Sequence, residues 1–486
     1  MVVNISRSEI MAYRILLFLL LALFWGLTSV LAQDIQKVKG DWQGVLDAGA
    51  AKLRLVLHLT INDDNSLRGT MDSPDQGAAG LKIDTVTLEG QTLKFEMKAL
   101  GASYEGTLNS EGNEITGKFT QSGVTFPLNF KPGTVATLAP PKRPQTPVKP
   151  YPYDEEEITF ENKAANITLA GTLTLPRTKA PFPAVVLITG SGPQDRNESL
   201  MGHQPFLVLA DHLTRQGIAV LRFDDRGVAK SKGKFSTATS EDFATDVLAG
   251  VEYLKTRKEL NIKKIGLIGH SEGGMIAPMC AVKSPDIAFL VLMAGPGVTG
   301  EEILYVQGAL IARAEGASEA DIAQSRKFQE QSFALLKTEK DPAITEKKLR
   351  EIVAAAVATV SEAQKKMVET ALIAQAKSVN TPWFRFFLTY DPRPALRQLK
   401  IPVLAINGEV DLQVPPKQNL PEIAKALKAG GNKKSQTVEL PKLNHLFQTA
   451  QTGGVSEYSK IAETIAPTAL TQISDWIVKQ TGIKKR

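Results

Sequence analysis

Lys264-Ile265-Gly266-Leu267-Ile268-Gly269-His270-Ser271-Glu272-Gly273-Gly274 is the stretch whose reading decides the fold. The apolar run to Ile268 reads as a buried strand, and the residues from Glu272 toward Val282 are compatible with a helix. Between them Gly269-His270-Ser271-Glu272-Gly273 matches G-x-S-x-G. The match alone says little, because composition supplies roughly 0.15 such matches by chance in a chain of this length. Its place between a strand and a helix gives it weight. A serine on so tight and strained a turn needs neighbours without side chains, and the two glycines meet that need.

Outward from this turn, apolar strands alternate with helical patterns from about Glu157 onward, which predicts a parallel sheet with covering helices. Ile158–Phe160 and Gly171–Leu175 read as an antiparallel opening pair. Buried strands follow at Ala184–Ile188, Ala219–Phe223, Phe289–Met293 and Val403–Ile406, with a last one at Thr437–Leu440. Helices fit at Gln204–Gln216, Glu241–Thr256 and Ile461–Val478. About a hundred residues, mostly of helical pattern, separate the Met293 and Val403 strands, far more than one crossover helix needs. They predict a helical cap inserted at about 299–395.

A serine hydroxyl is a weak nucleophile until a base takes its proton. His445, in Leu443-Asn444-His445-Leu446-Phe447 just past the last strand, is the expected base. His270 is expected to point elsewhere, and His203 is expected at the surface, with a place in the pocket as its alternative. The base in turn needs a carboxylate to fix its tautomer. Asp411 follows the Val403 strand and is the only Asp between that strand and His445, with Glu409 as the nearest competitor. The order Ser271, Asp411, His445 is nucleophile, acid, base. Donors for a developing oxyanion are expected from the backbone N–H of Glu272 and from the loop Thr189-Gly190-Ser191-Gly192-Pro193, at Ser191 or at Gly192.

With these stretches in place, the chain from about Ile158 to its end resembles bacterial esterases of the α/β-hydrolase superfamily, in the prolyl-oligopeptidase-like and dienelactone-hydrolase-like branch. The likeness is carried by Gly190 to Asn197, Phe223-Asp224-Asp225-Arg226-Gly227, the Gly269 turn, Gly408 to Pro415, Asn444 to Gln448, and Trp383-Phe384 through Pro392. It implies a mostly parallel eight-stranded sheet with helices on both faces, and a cofactor-free carboxylesterase with Ser271, Asp411 and His445 as triad and a small-molecule ester as substrate. Thr189 stands where relatives often carry His. Two other readings stay open: a peptidase or aminoacyl hydrolase with the same triad, and a binding protein that kept the fold without activity.

The rest of the chain bounds this reading. A length of 486 residues suggests two or three domains. The net charge of +6 is spread along the chain, whereas a nucleic-acid footprint needs a concentrated stripe. One cysteine and five scattered histidines offer no metal-ligand spacing. Arg7 and Arg14, the uncharged run Ile15 to Ala32 and the polar Gln33-Asp34 form the layout of a cleavable signal peptide over 1–32, an uncleaved anchor being the alternative. This predicts a periplasmic or secreted protein with no membrane span in the mature chain; the oligomeric state is open. Residues 33–131 alternate apolar and polar in short runs and predict a small all-β domain, a sandwich or barrel. Residues 132–156 are proline-rich and predict a semi-rigid linker to the catalytic domain at 157–486.

Overall fold

The computed structural model describes residues 35–484, apart from 48–51, 77, 122–123, 134–142 and most of 359–378. The expected signal segment at 1–32 lies outside the described residues. The chain divides at Pro140 into two compact units.

The first unit is one antiparallel sheet of nine strands in the order β4-β3-β2-β1-β9-β8-β7-β6-β5. Its strands are β1 (Gly40–Asp47), β2 (Lys52–Ile61), β3 (Leu67–Ser73), β4 (Ala78–Lys82), β5 (Thr85–Glu89), β6 (Thr92–Met97), β7 (Ala102–Leu108), β8 (Ile115–Gln121) and β9 (Val124–Pro132). The sheet curls, so that β3 and β5 meet without pairing. It is therefore a single rolled sheet and not a two-sheet sandwich. Alternation drives it: along β7 every second side chain is buried, which places Ala102, Tyr104 and Leu108 inside. The Tyr104 ring stacks on Phe95 at 5.0 Å and its hydroxyl donates to the Leu128 carbonyl at 3.1 Å. On the other side of the strands His58 of β2 bridges Asp41 of β1, at 2.7 Å from Nδ1, and Asp72 of β3, at 3.0 Å from Nε2.

In the second unit the eight-stranded sheet has the order β10-β11-β13-β12-β14-β15-β16-β17. Its strands are β10 (Tyr153–Asn162), β11 (Ile167–Pro176), β12 (Phe182–Ile188), β13 (Ala219–Phe223), β14 (Leu260–His270), β15 (Ile287–Met293), β16 (Val403–Gly408) and β17 (Ser435–Leu440). The sheet is mixed: β11 pairs antiparallel with both neighbours and alone runs against the others, and the remaining pairings are parallel. Both faces are covered. Along β12, Ala184, Val186 and Ile188 enter one core with α2 (Ser240–Lys255) and α3 (Glu272–Lys283), whereas Val185 and Leu187 enter the other with α1 (Pro205–Arg215). A strand buried on both faces reads as an unbroken apolar run, which is why these strands were visible in the sequence.

Between β15 and β16 come α4 (Gly300–Ala314), α5 (Glu319–Thr338), α6 (Pro342–Val357), α7 (Pro382–Thr389) and α8 (Arg393–Gln398). Four of the five start with a capping side chain and the fifth carries Pro394 in its first turn, and the segment has its own small core of Phe333, Leu336, Leu349, Val353, Phe384 and Leu388.

Of the boundaries that differ from the sequence reading, two bear on how the proline-rich segment is held. The first strand of this unit starts at Tyr153, not at Ile158, because Tyr153 through Glu157 pair with Pro176 through Thr172 of β11. The last helix spans Pro467–Thr481, not Ile461–Val478. Residues 461–466 serve as an anchor instead: Gln145 Oε1 accepts from the N–H groups of Thr464 and Ile465, and Arg143 donates to the carbonyls of Met201, Ser459 and Ile461 at 2.7, 3.0 and 2.7 Å. The second half of the proline-rich segment is thus fastened to the rest of the second unit by hydrogen bonds between its side chains and main-chain groups.

His58 gives a pH test of the first unit. Burial pulls its pKa down, but the hydrogen bonds and charges of Asp41 and Asp72 outweigh that and raise it. A raised histidine stabilises fully below its ordinary range and less as pH rises through the folded value. Amide-exchange protection of β1–β3 in the wild type, compared with His58→Gln, should therefore fall between pH 6 and pH 8.5; equal protection at both values would contradict the assignment.

Candidate active site

Ser271 sits between β14 and α3 with φ 53° and ψ −118°, a backbone conformation that a non-glycine residue adopts at a cost of about 1–3 kcal/mol. The flanking glycines are compulsory. A Cβ on Gly269 would lie 2.0 Å from the Gly273 carbonyl oxygen, and one on Gly273 would lie 2.2 Å from that of Ile188. The turn is pinned by Ser271 N–H donating to the Met293 carbonyl at the end of β15, 2.8 Å away.

Asp411 and His445 come from the loops after β16 and β17. His445 Nδ1 lies 2.8 Å from Asp411 Oδ2, with the two residues 4% and 2% exposed. Asp411 Oδ1 accepts from the N–H groups of Gln413 and Val414 at 2.8 and 2.9 Å, so the carboxylate is held as an acceptor aimed at the ring. The loop of His445 is built by Asn444, whose Oδ1 accepts from Leu446 and Gln448 N–H. Gln448 then reaches His203 and the Glu463 carbonyl at 3.0 Å each. His203 is fully buried, against the expectation of a surface residue; burial, with the Arg143 charge beside it, pushes its pKa down to about 4. Glu409, the competitor for the acid, instead accepts from the N–H of Lys442.

Ser271 and His445 line one cavity of about 260 Å³, together with Gly190, Ser191, Glu198, Glu272, Ile303, Trp383, Phe387 and Leu446 among others. Ser191 is exposed to it, whereas the N–H of Gly190 is already donated to Glu198 Oε1 at 2.7 Å. Glu272 begins α3, whose first N–H groups have no partner within the helix. Of the aromatic residues at the end of the insertion, Trp383 and Phe387 face the cavity, Phe384 fills the insertion's own core and Phe386 stacks on Tyr390 at 5.2 Å.

Sequence reasoning missed the residues beneath the cavity. His270 lies 2.9 Å through Nδ1 from Glu198 Oε1 and 3.0 Å through Nε2 from the backbone carbonyl of His445. Both partners can accept, so the surroundings suit a ring that donates from both nitrogens. Burial opposes a charge on the ring, and the Glu198 charge and hydrogen bond more than offset that, leaving the pKa raised. Asp225 lies under the Thr189 loop, with Oδ1 2.9 Å from Thr189 Oγ1 and Oδ2 accepting from Gln194 N–H at 2.9 Å. Burial pushes its carboxyl up to about 8, opposed by those hydrogen bonds and helped by the Glu272 and Asp246 charges. Thr189 thus rests on a buried acid. Arg226 and Asp195 act as loop braces, Arg226 through Asp246 at 2.7 Å and Asp195 through the N–H groups of Asn197 and Ser199. Among the described residues no group of His, Cys, Asp and Glu has the arrangement of a metal site.

The family model described as serine aminopeptidase, S33, matches residues 204–449, half of the chain. The chain belongs to that family of α/β-hydrolases. The esterase EstD of Thermotoga maritima is 31% identical over 206 residues, which are 42% of this chain and 47% of that protein. The chain therefore spans about half the length of this curated relative. Among solved structures, a Pyrococcus furiosus esterase aligns over 70% of this chain and 97% of its own at 18% identity and TM-score 0.40. The ferulic-acid complex of Est1E from Butyrivibrio proteoclasticus aligns over 67% and 99% at 16% identity and TM-score 0.39.

Asp225 has a measurable consequence. An acid with a raised folded pKa contributes stability fully below about pH 4, its ordinary range, and loses it as pH rises toward about 8. Asn can mimic the neutral acid, with its amide donating to Thr189 and its oxygen accepting from Gln194. The melting temperature of Asp225→Asn relative to wild type should rise from pH 4 to about pH 8 and then level off; a difference independent of pH would contradict the buried-acid account.

Proposed function

We propose that the protein is a serine hydrolase that cleaves carboxylic esters through an acyl-enzyme on Ser271. The hydrogen bond from His445 Nδ1 to Asp411 is the observation that carries this reading, because it leaves Nε2 as the basic nitrogen in the cavity that Ser271 lines. Ser271 Oγ attacks the ester carbonyl as His445 takes its proton, and the N–H groups of Glu272 and Ser191 receive the oxyanion. The intermediate collapses when His445 returns the proton to the departing alcohol. Water, deprotonated by the same ring, then releases the acid. In this reading the helices between β15 and β16 act as a lid, since Ile303, Trp383 and Phe387 wall the cavity from that side. We extend the proposal to location: the layout of residues 1–32 suits an exported enzyme.

Charge narrows the substrate. Among the described residues lining the cavity there is no Lys or Arg, and the ring nitrogens of His270 are already taken up by Glu198 and the His445 carbonyl. An anionic acyl group would be buried without a free counter-charge, at a cost of several kcal/mol. Uncharged acyl groups therefore fit. A peptidase reading is favoured by the serine aminopeptidase family to which the chain belongs. The esterase reading is preferred for the likeness to the Thermotoga esterase.

A fluorophosphonate probe should label the wild type and not Ser271→Ala, and Asp411→Asn should lower kcat by roughly a thousandfold or more. An unlabelled wild type, or label retained in Ser271→Ala, would end the proposal. Nitrophenyl butyrate should exceed the nitrophenyl monoester of succinic acid in kcat/KM by roughly a hundredfold. Faster turnover of aminoacyl amides than of any ester would install the peptidase reading instead.

A further inference from the structure

Glu272 presents a buried carboxyl group that no step of ester cleavage uses. Its N–H belongs to the expected oxyanion site, but its side chain turns into the protein and the residue is 2% exposed. Oε1 accepts from Ser240 Oγ, at the start of α2, at 2.6 Å and from Trp383 Nε1, on α7, at 2.8 Å. None of these partners is charged, so the carboxyl is buried at a cost that hydrogen bonding must offset. What the arrangement achieves is the fixing of one indole ring. Trp383 stacks on Phe387 with centroids 5.4 Å apart and planes 8° from parallel, and both rings line the cavity with Ser271.

The direction of the ring matters for the substrate. With the ester's carbonyl oxygen at the N–H groups of Glu272 and Ser191 and its leaving group beside His445, the acyl substituent faces the remaining walls, where Trp383 stands. We propose that Glu272, through its side chain, is a specificity-positioning residue: it fixes Trp383 as the end wall of the acyl subsite, so that the residue after the nucleophile also limits acyl length. This rests on the serine-hydrolase reading above and adds the determinant of its substrate range.

The test is the ratio of kcat/KM for nitrophenyl octanoate to that for nitrophenyl butyrate. Glu272→Ala removes the acceptor, and Trp383→Phe keeps a ring but removes the donor. Each should raise the ratio roughly tenfold, chiefly through a higher KM for butyrate and a lower KM for octanoate. Glu272→Gln keeps an acceptor oxygen and should retain the wild-type ratio. A variant that is merely less stable lowers both esters alike and leaves the ratio where it was. An unchanged ratio in either Glu272→Ala or Trp383→Phe overturns the inference, as does a shift in Glu272→Gln as large as that in Glu272→Ala. Fluorophosphonate titration counts competent sites in each preparation. A wild type that is labelled and cleaves esters while its variants keep the same ratio refutes this inference alone, and a wild type that neither labels nor cleaves esters refutes the reading beneath it too.

Discussion

The left-handed backbone at Ser271 is the constraint from which the rest of the catalytic unit follows. A turn at φ 53° is held only where the surroundings over-determine it. Here β14 and α3 press so closely that the carbonyls of Ile188 and Gly273 occupy the space of two missing Cβ atoms. That closeness requires β12 and β15 on either side of β14, packed on both faces, and Ser271 N–H tied to the end of β15. The strain thus rests on the whole sheet. It also explains why the loops after β16 and β17 deliver Asp411 and His445: parallel strands end on the same edge, and the polar loops gather there.

Beneath that edge lies a layer of buried ionisable groups in three different states. His270 and Glu198 form a hydrogen-bonded pair that ties the Gly190 loop to the backbone of His445. Asp225 is an acid pushed toward neutrality by burial, under Thr189. Glu272 collects donors from α2 and α7. Each group ties together segments that border the cavity, and each would be costly if left unpaired. The network positions the loops of the proposed mechanism without entering its chemistry.

The parts that were legible in the sequence obey local rules. Strands buried on both faces read as apolar runs, the G-x-S-x-G turn announces its own sterics, and the candidates Asp411 and His445 stand immediately after strands. The parts that were not legible depend on groups distant in the chain. His270 looked idle because its partners, Glu198 and the carbonyl of His445, lie 72 and 175 residues away. His203 looked exposed because the segment that buries it, around Tyr458 and Thr464, is more than 250 residues downstream. The start of the last helix was misplaced because Gln145 occupies the N–H groups of Thr464 and Ile465, a contact no periodicity reveals. The side chain of Glu272 had no signal at all, since its neighbour Ser271 accounted for the motif.

The central claim is a covalent intermediate on one serine, and rapid-quench mass spectrometry tests it most directly. Mixing the protein with excess nitrophenyl butyrate should release a burst approaching one nitrophenol per chain when deacylation is the slower step. Acid quenching within that burst should leave a butyryl group on the peptide that contains Ser271. A butyryl adduct on another residue, or ester cleavage at full rate by Ser271→Ala, would contradict the account.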